Sequence, residues 1–192
     1  MTGRFIAVVG PSGVGKDSFM QAFARVEPRL RLARRVITRP GDSGGEVFDG
    51  VVPDEFHRRQ AAGAFALSWQ AHGLAYGIPV SVDIDLKNGF DVLANLSRGA
   101  LVQASRRFES FSTLALVARS DILEKRLKKR GREIPTEISR RLARADKPIP
   151  PGIEVTVLDN SGALAETVSR ARDLLYASAT TPHQTGEMQH DQ

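Results

Sequence analysis

The seven residues Gly10-Pro11-Ser12-Gly13-Val14-Gly15-Lys16 constrain this chain more than any other stretch. They fit the G-x-x-x-x-G-K phosphate-loop pattern, and their flanks give the match its weight. Before the loop, residues 4–9 (Arg-Phe-Ile-Ala-Val-Val) form a nearly continuous apolar run, as expected of a strand buried on both faces of a parallel sheet. After it, Phe19, Met20, Phe23 and Val26 recur at three- and four-residue spacing, which predicts an amphipathic helix over 16–26. Strand, glycine loop and helix in that order make a cradle for phosphate. Glycines let the backbone curl so that successive N–H groups point inward, and the helix N-terminus adds its positive end. Lys16 would reach the β- and γ-phosphates. ATP is therefore expected on Gly10, Pro11, Ser12, Gly13, Val14, Gly15, Lys16, Asp17 and Ser18.

One position departs from the pattern. A Ser or Thr whose hydroxyl ligates Mg²⁺ normally follows the lysine, and here the residue is Asp17, with Ser18 after it. A carboxylate is a good hard-oxygen ligand for Mg²⁺, but its charge is tolerable beside a triphosphate only with the metal between them. Asp17 is the expected metal ligand. The alternative makes it a first-turn acid facing the helix dipole, with Ser18 or water serving the metal. The strand candidate at 90–96 carries Asn95 and ends without the acid that holds the metal in many phosphate-loop enzymes.

Along the rest of the chain, strand patterns at 30–37, 90–96, 114–118 and 154–158 alternate with helical patterns at 98–107, 120–130 and 136–146. A closing helix follows at 161–176. Such alternation predicts an α/β fold, a parallel five-stranded sheet with helices on both faces. A helix opened by Pro53 and two short strands around Gly73 form a small insertion at about 38–80. The whole reads as one domain over 1–178, with 179–192 as a frayed tail. The apolar runs are far too short to span a bilayer and no secretory signal is visible, so the expected location is the cytoplasm, with no membrane partner. Zero cysteines exclude disulfides, thiolate-zinc sites and cysteine nucleophiles.

Charge is concentrated. Residues 119–147 hold eleven Lys+Arg against five Asp+Glu, a net +6 that exceeds the +5 of the whole chain. Arg126 and Arg130, four apart, share a helical face, while Leu123 and Leu127 form an apolar stripe. Arg141 lies beside the buried stripe of the next helix, and Gly131 would hinge the two. Residues 126–141 thus read as a lid closing over phosphates. A solvated basic helix is the plainer reading, and nucleic acid the other competitor. Few aromatics and no stacking platform argue against nucleic acid.

In order and spacing, Gly10 to Lys16, Thr38-Arg39-Pro40, Gly45-Glu46, Asp54-Glu55-Phe56, Tyr76-Gly77, Arg126-Leu127, Arg130-Gly131 and Arg141-Leu142 resemble guanylate kinase over roughly residues 4–176. The resemblance implies that Thr38, Arg39 and Tyr76 hold the acceptor phosphate, and that Arg126, Arg130 and Arg141 join Lys16 in catalysis by neutralising the transferring phosphoryl group. The guanine-reading features are missing. Asp42 or Ser43 stands where a second loop arginine belongs, Phe48 is out of place for the aromatic after Gly-Glu, and the base-reading glutamate is replaced around Leu67-Ser68.

Lys16-Asp17-Ser18, Arg34 to Pro40, Phe65 to Pro79, Asn95-Leu96-Ser97-Arg98 and Asp159-Asn160-Ser161 are similar to the ribose 1,5-bisphosphate phosphokinases of phosphonate catabolism, where Asp17 is normal. That resemblance implies ATP-dependent phosphorylation of ribose 1,5-bisphosphate to 5-phospho-α-D-ribose 1-diphosphate. Transfer to an oxygen that is already anionic needs charge neutralisation rather than a general base. Arg34, Arg35, Arg39 and Arg98 are accordingly the acceptor-binding candidates, and His72 a lesser one. A guanylate kinase and an inactive kinase-like interaction module are the alternatives.

Overall fold

The computed structural model describes residues 2–40, 47–130 and 148–176, the side chain of Arg130 excepted. In chain order the elements are β1 (Phe5–Val9), α1 (Lys16–Val26), β2 (Leu30–Leu32), β3 (Val36–Ile37), β4 (Asp49–Gly50), α2 (Pro53–Ala61), β5 (Phe65–Ala71), β6 (Leu74–Pro79), α3 (Val82–Lys87), β7 (Asp91–Asn95), α4 (Leu101–Arg107), β8 (Phe111–Val117), α5 (Ser120–Arg130), β9 (Thr156–Asp159) and α6 (Leu164–Tyr176). A 3₁₀ turn at Arg98–Ala100 leads into α4.

Five strands form one parallel sheet in the order β2-β7-β1-β8-β9. All five residues of β1 are buried, as its unbroken apolar run requires at the sheet's centre. Phe5, Ala7 and Val9 face one side, into a core with Leu101, Ala104 and Phe108 of α4 and its C-cap. Ile6 and Val8 face the other, against Phe19 and Phe23 of α1, Leu123 of α5 and Val168 and Ala171 of α6. Each fully buried Phe, Leu, Ile or Val contributes about 1.5–3 kcal/mol, so the alternation within β1 fixes helices to both faces. The order also creates a switch point. From β1 the chain builds β2 and β7 on one side and β8 and β9 on the other, which opens a crevice beyond the carboxyl ends of the strands.

The predicted strand over 30–37 is two strands in two sheets. Leu30–Leu32 pairs with β7, Ala33 N still donates to Leu93 O at 3.0 Å, and the chain then leaves at Arg34-Arg35. Val36–Ile37 joins a second sheet, ordered β4-β3-β6-β5, whose β5–β6 hairpin turns at His72 (φ 55°) and Gly73 (φ 75°). This insertion packs Val36, Phe56 and Ala75 into its own small core. It stands over the carboxyl edge of the large sheet because β2, from which it springs, ends there. α3, absent from the sequence reading, follows β6 and returns the chain to β7. No described helix is long and apolar enough to cross a membrane.

Candidate active site

The glycine loop between β1 and α1 is held from three directions. Gly10 passes so close to β8 that a Cβ there would lie 2.5 Å from the Leu116 carbonyl oxygen. No other residue fits without moving backbone. Gly15 caps α1 with φ 93°, and its added Cβ would sit 3.0 Å from Asn160 Nδ2. The Val14 carbonyl accepts from Asn160 Nδ2 at 2.7 Å and from Arg126 Nη1 at 3.2 Å. Asn160 is itself oriented by Thr167, whose hydroxyl donates to Asn160 Oδ1 at 2.9 Å. Next to it, hydrogen bonds from Ser161 hold the Asp159 carboxyl below the usual carboxylate range. Lys16 Nζ reaches back over the loop to the carbonyls of Gly10 (2.8 Å) and Pro11 (3.1 Å). An ammonium there, with a helix N-terminus and curled N–H groups beneath it, suits a phosphate chain.

Asp17 and Ser18 point different ways. Ser18 is exposed on α1, whereas Asp17 is half-buried and accepts a hydrogen bond at 3.2 Å from the side-chain amide of Asn95, at the end of β7. The backbone carbonyl of Asn95 in turn accepts from Arg35 Nη1 at 3.0 Å. Arg35 therefore spans from the insertion to the edge of the large sheet. Its guanidinium lies 5.2 Å from the Tyr76 ring centre, and Tyr76 stacks on Trp69 at 5.3 Å with planes 8° apart. Asp17, Asn95, Arg35, Tyr76 and Trp69 make one continuous wall beside the phosphate loop.

Thr38 and Arg39 border this wall. The Thr38 hydroxyl accepts from Ala75 N at 2.8 Å while Thr38 N donates to Ala75 O at 3.1 Å, so Thr38 clamps the loop after β3 to the residue before Tyr76. Arg39 lies over the Phe48 ring at 4.3 Å, with its Nε buried and without a hydrogen-bond partner among the described residues. Phe48, out of place for reading a base, here supports an arginine. Arg98 opens the 3₁₀ turn three residues past Asn95, on the same edge, with a buried Nε.

The remaining candidates separate. Arg34, next to Arg35 in the connection between β2 and β3, instead lines a cavity of about 430 Å³ with Asp49, Arg59, Phe65 and Ser81. It is not part of the wall. His72 is exposed at the hairpin tip. Leu123 and Leu127 are buried as their stripe predicts, and Gly13 packs against Leu127. Arg126 reaches the loop from α5, the Arg130 side chain and Arg141 lie outside the described residues, and so does most of the lid. Asn160, Thr167, Asn95, Phe48 and Trp69 were not assigned roles by sequence reasoning. Asn160 and Asn95 had a signal: each ends a strand of the parallel sheet at the carboxyl edge.

Mg²⁺ suits the donor set. One carboxylate, Asp17, whose second oxygen has no hydrogen-bond partner among the described residues, stands next to a phosphate cradle, an arrangement the ion takes when substrate phosphates and water complete its octahedron. No cluster of three His, Cys, Asp or Glu side chains that could hold a metal ion exists among the described residues.

No protein-family model matches the chain. The ribose 1,5-bisphosphate phosphokinase PhnN of Ruegeria sp. (strain TM1040) is 47% identical over 176 residues, 91% of this chain and 93% of the relative. That of Pseudomonas fluorescens (strain SBW25) is 48% identical over 180 residues, 88% of this chain and 93% of the relative. Among solved structures, guanylate kinase from Anaplasma phagocytophilum superposes with a TM-score of 0.67 over 94% of this chain and 88% of its own, at 17% identity. This likeness shows a guanylate kinase-like fold and nothing finer. With nearly half of its residues shared along almost the full length of both relatives, the chain belongs to the ribose 1,5-bisphosphate phosphokinase family.

Proposed function

We propose that the protein transfers the γ-phosphoryl group of ATP to ribose 1,5-bisphosphate, yielding ADP and 5-phospho-α-D-ribose 1-diphosphate. An oxygen of the acceptor's 1-phosphate forms the new bond to Pγ, the bond from Pγ to the β,γ-bridging oxygen breaks, and ADP carries away that oxygen. The observation that carries this reading is the Asp17–Asn95–Arg35–Tyr76 wall, which joins the phosphate loop to the insertion without a break.

The acceptor is a small polyanion, and the residues suit one. Two phosphate monoesters carry roughly −3 to −4 together, so guanidinium groups must offset their approach to a triphosphate. Arg35, Arg39 and Arg98 supply them on the acceptor side, Tyr76 a hydroxyl, and Thr38 the loop's position. Lys16 and Arg126 serve the donor side, with Arg130 and Arg141 proposed to join them from the lid. Asp17 is the residue that would hold Mg²⁺, which when bound neutralises the donor phosphates. Guanine finds no carboxylate at the position of the base-reading glutamate. Leu67 is 2% exposed within the core, and the Ser68 hydroxyl accepts from Gln60 on the outer face. A site without such partners cannot select a base by hydrogen bonding.

The test is ADP release with Mg²⁺-ATP and a panel of ribose 1,5-bisphosphate, GMP, dGMP, AMP and UMP. Turnover confined to the sugar bisphosphate supports the assignment. Preference for GMP would replace it, and no turnover with any acceptor would favour an interaction module.

A further inference from the structure

We infer that Asn95 is a positioning residue, the neutral half of a metal-holding pair in which carboxylate and partner have changed places. This rests on the reading that Asp17 faces the metal. In many phosphate-loop enzymes the ion is held by a hydroxyl directly after the lysine and by a carboxylate at the end of a neighbouring strand. Here the helix carries the carboxylate, Asp17, and β7 ends in an amide, with 3.2 Å between Asn95 Nδ2 and Asp17 Oδ1. The pair keeps a single negative charge.

The chemistry of that exchange accounts for both residue types. A second carboxylate at position 95 would stand about 3 Å from the first, and two such groups do not both ionise readily. An amide has the opposite effect. Asp17 is acceptor-only when ionised, so the Asn95 NH₂ must face it, which occupies Oδ1 and leaves Oδ2 open. Asn95 is 7% exposed and belongs to β7, whose five residues are all buried, so its χ angles are set by the sheet and not by solvent. Its backbone carbonyl holds Arg35 at 3.0 Å. One residue thus orients the carboxylate on the donor side and the guanidinium on the acceptor side.

The experiment measures Mn²⁺ affinity by electron paramagnetic resonance in the complex with a nonhydrolysable ATP analogue, for the parent, Asn95→Ala, Asp17→Ser and the double variant Asp17→Ser/Asn95→Asp. Loss of an outer-shell partner typically weakens metal binding at least about tenfold, and that is the expected effect of Asn95→Ala. Metal-free affinity for the analogue should stay close to the parent's even where the thermal midpoint falls, which a merely structural role would not allow. Asp17→Ser should lose affinity as well. The double variant should regain most of it, because it restores the ordinary arrangement of hydroxyl and acid. Parent-like Mn²⁺ binding by Asn95→Ala overturns the inference, as does a double variant no better than Asp17→Ser. Acceptor choice is read separately: a broken pairing with intact turnover of ribose 1,5-bisphosphate sinks only this inference, and turnover of a different acceptor sinks only the proposed reaction.

Discussion

The side-chain amide of Asn160 donates a 2.7 Å hydrogen bond to the carbonyl of Val14, tying the end of β9 to the phosphate loop. Both groups are buried, so the loop's curvature depends on a residue 146 positions away. Removing one partner of a buried hydrogen bond costs about 1–3 kcal/mol. Asn160→Ala should therefore lower the unfolding free energy by an amount in that range and weaken binding of a nonhydrolysable ATP analogue, as read by urea denaturation and calorimetry. Unchanged nucleotide affinity would show that the loop holds its shape alone.

In the proposed reaction Arg35 divides donor from acceptor. Its hydrogen bond to Asn95 and its place over Tyr76 support the proposed acceptor role, as the contact of Lys16 with the glycine loop supports the proposed nucleotide role. A charge-assisted hydrogen bond is worth about 1.5–3 kcal/mol, so Arg35→Ala should raise the acceptor KM about ten- to a hundredfold and leave the ATP KM nearly unchanged. Arg35→Lys should recover little, since an ammonium cannot stack or bind phosphate in fork geometry. Steady-state kinetics with each substrate varied in turn decides it.

Trp69 is the chain's single tryptophan and stacks on Tyr76. Its indole N–H is buried without a hydrogen-bond partner among the described residues. Acceptor binding beside Tyr76 should change the intrinsic fluorescence, whereas the ATP analogue alone should leave it nearly constant. Titrating the two ligands separately checks this, and the reverse pattern would move the acceptor elsewhere.

Away from the site, Glu27 is 2% exposed and chelated by Arg29, with Nε–Oε1 2.7 Å and Nη2–Oε2 2.9 Å. The Arg29 hydrogen bonds hold its carboxyl below its ordinary value of 4.5. A depressed folded value means the unfolded chain binds the proton more readily. The stabilisation is complete above 4.5 and is lost as pH falls through the folded value. Stability of the parent should fall more steeply between about pH 5 and pH 3 than that of Glu27→Gln. Parallel curves in acid denaturation would contradict the assignment.

Local pattern made much of this legible. The run at 4–9, the glycine loop and the three- and four-residue spacing of α1 are each set by neighbours in sequence, and β1 and α1 appear where those signals placed them. The hairpin was readable because His72-Gly73 adopts the positive φ values a tight turn demands. The split of 30–37 was not, because which sheet a strand joins depends on partners 40 or more residues away, Leu93 for Ala33 and Gly77 for Val36. Arg34 and Arg35 look alike in sequence, and only the course of the connection between β2 and β3 sends one to the site and the other to a separate cavity. Asn95 and Asn160 stood out in sequence without a role, because the partners their short side chains hold, Asp17 and Val14, lie far away along the chain.

The most direct test of the central claim is ³¹P nuclear magnetic resonance of the complete reaction, with Mg²⁺-ATP and ribose 1,5-bisphosphate. The account predicts that the 1-phosphate signal is replaced by the paired, coupled signals of a 1-diphosphate while the 5-phosphate signal persists and ADP appears in equal amount. ADP formed without those coupled sugar signals, or phosphorylation at any other oxygen, would contradict it.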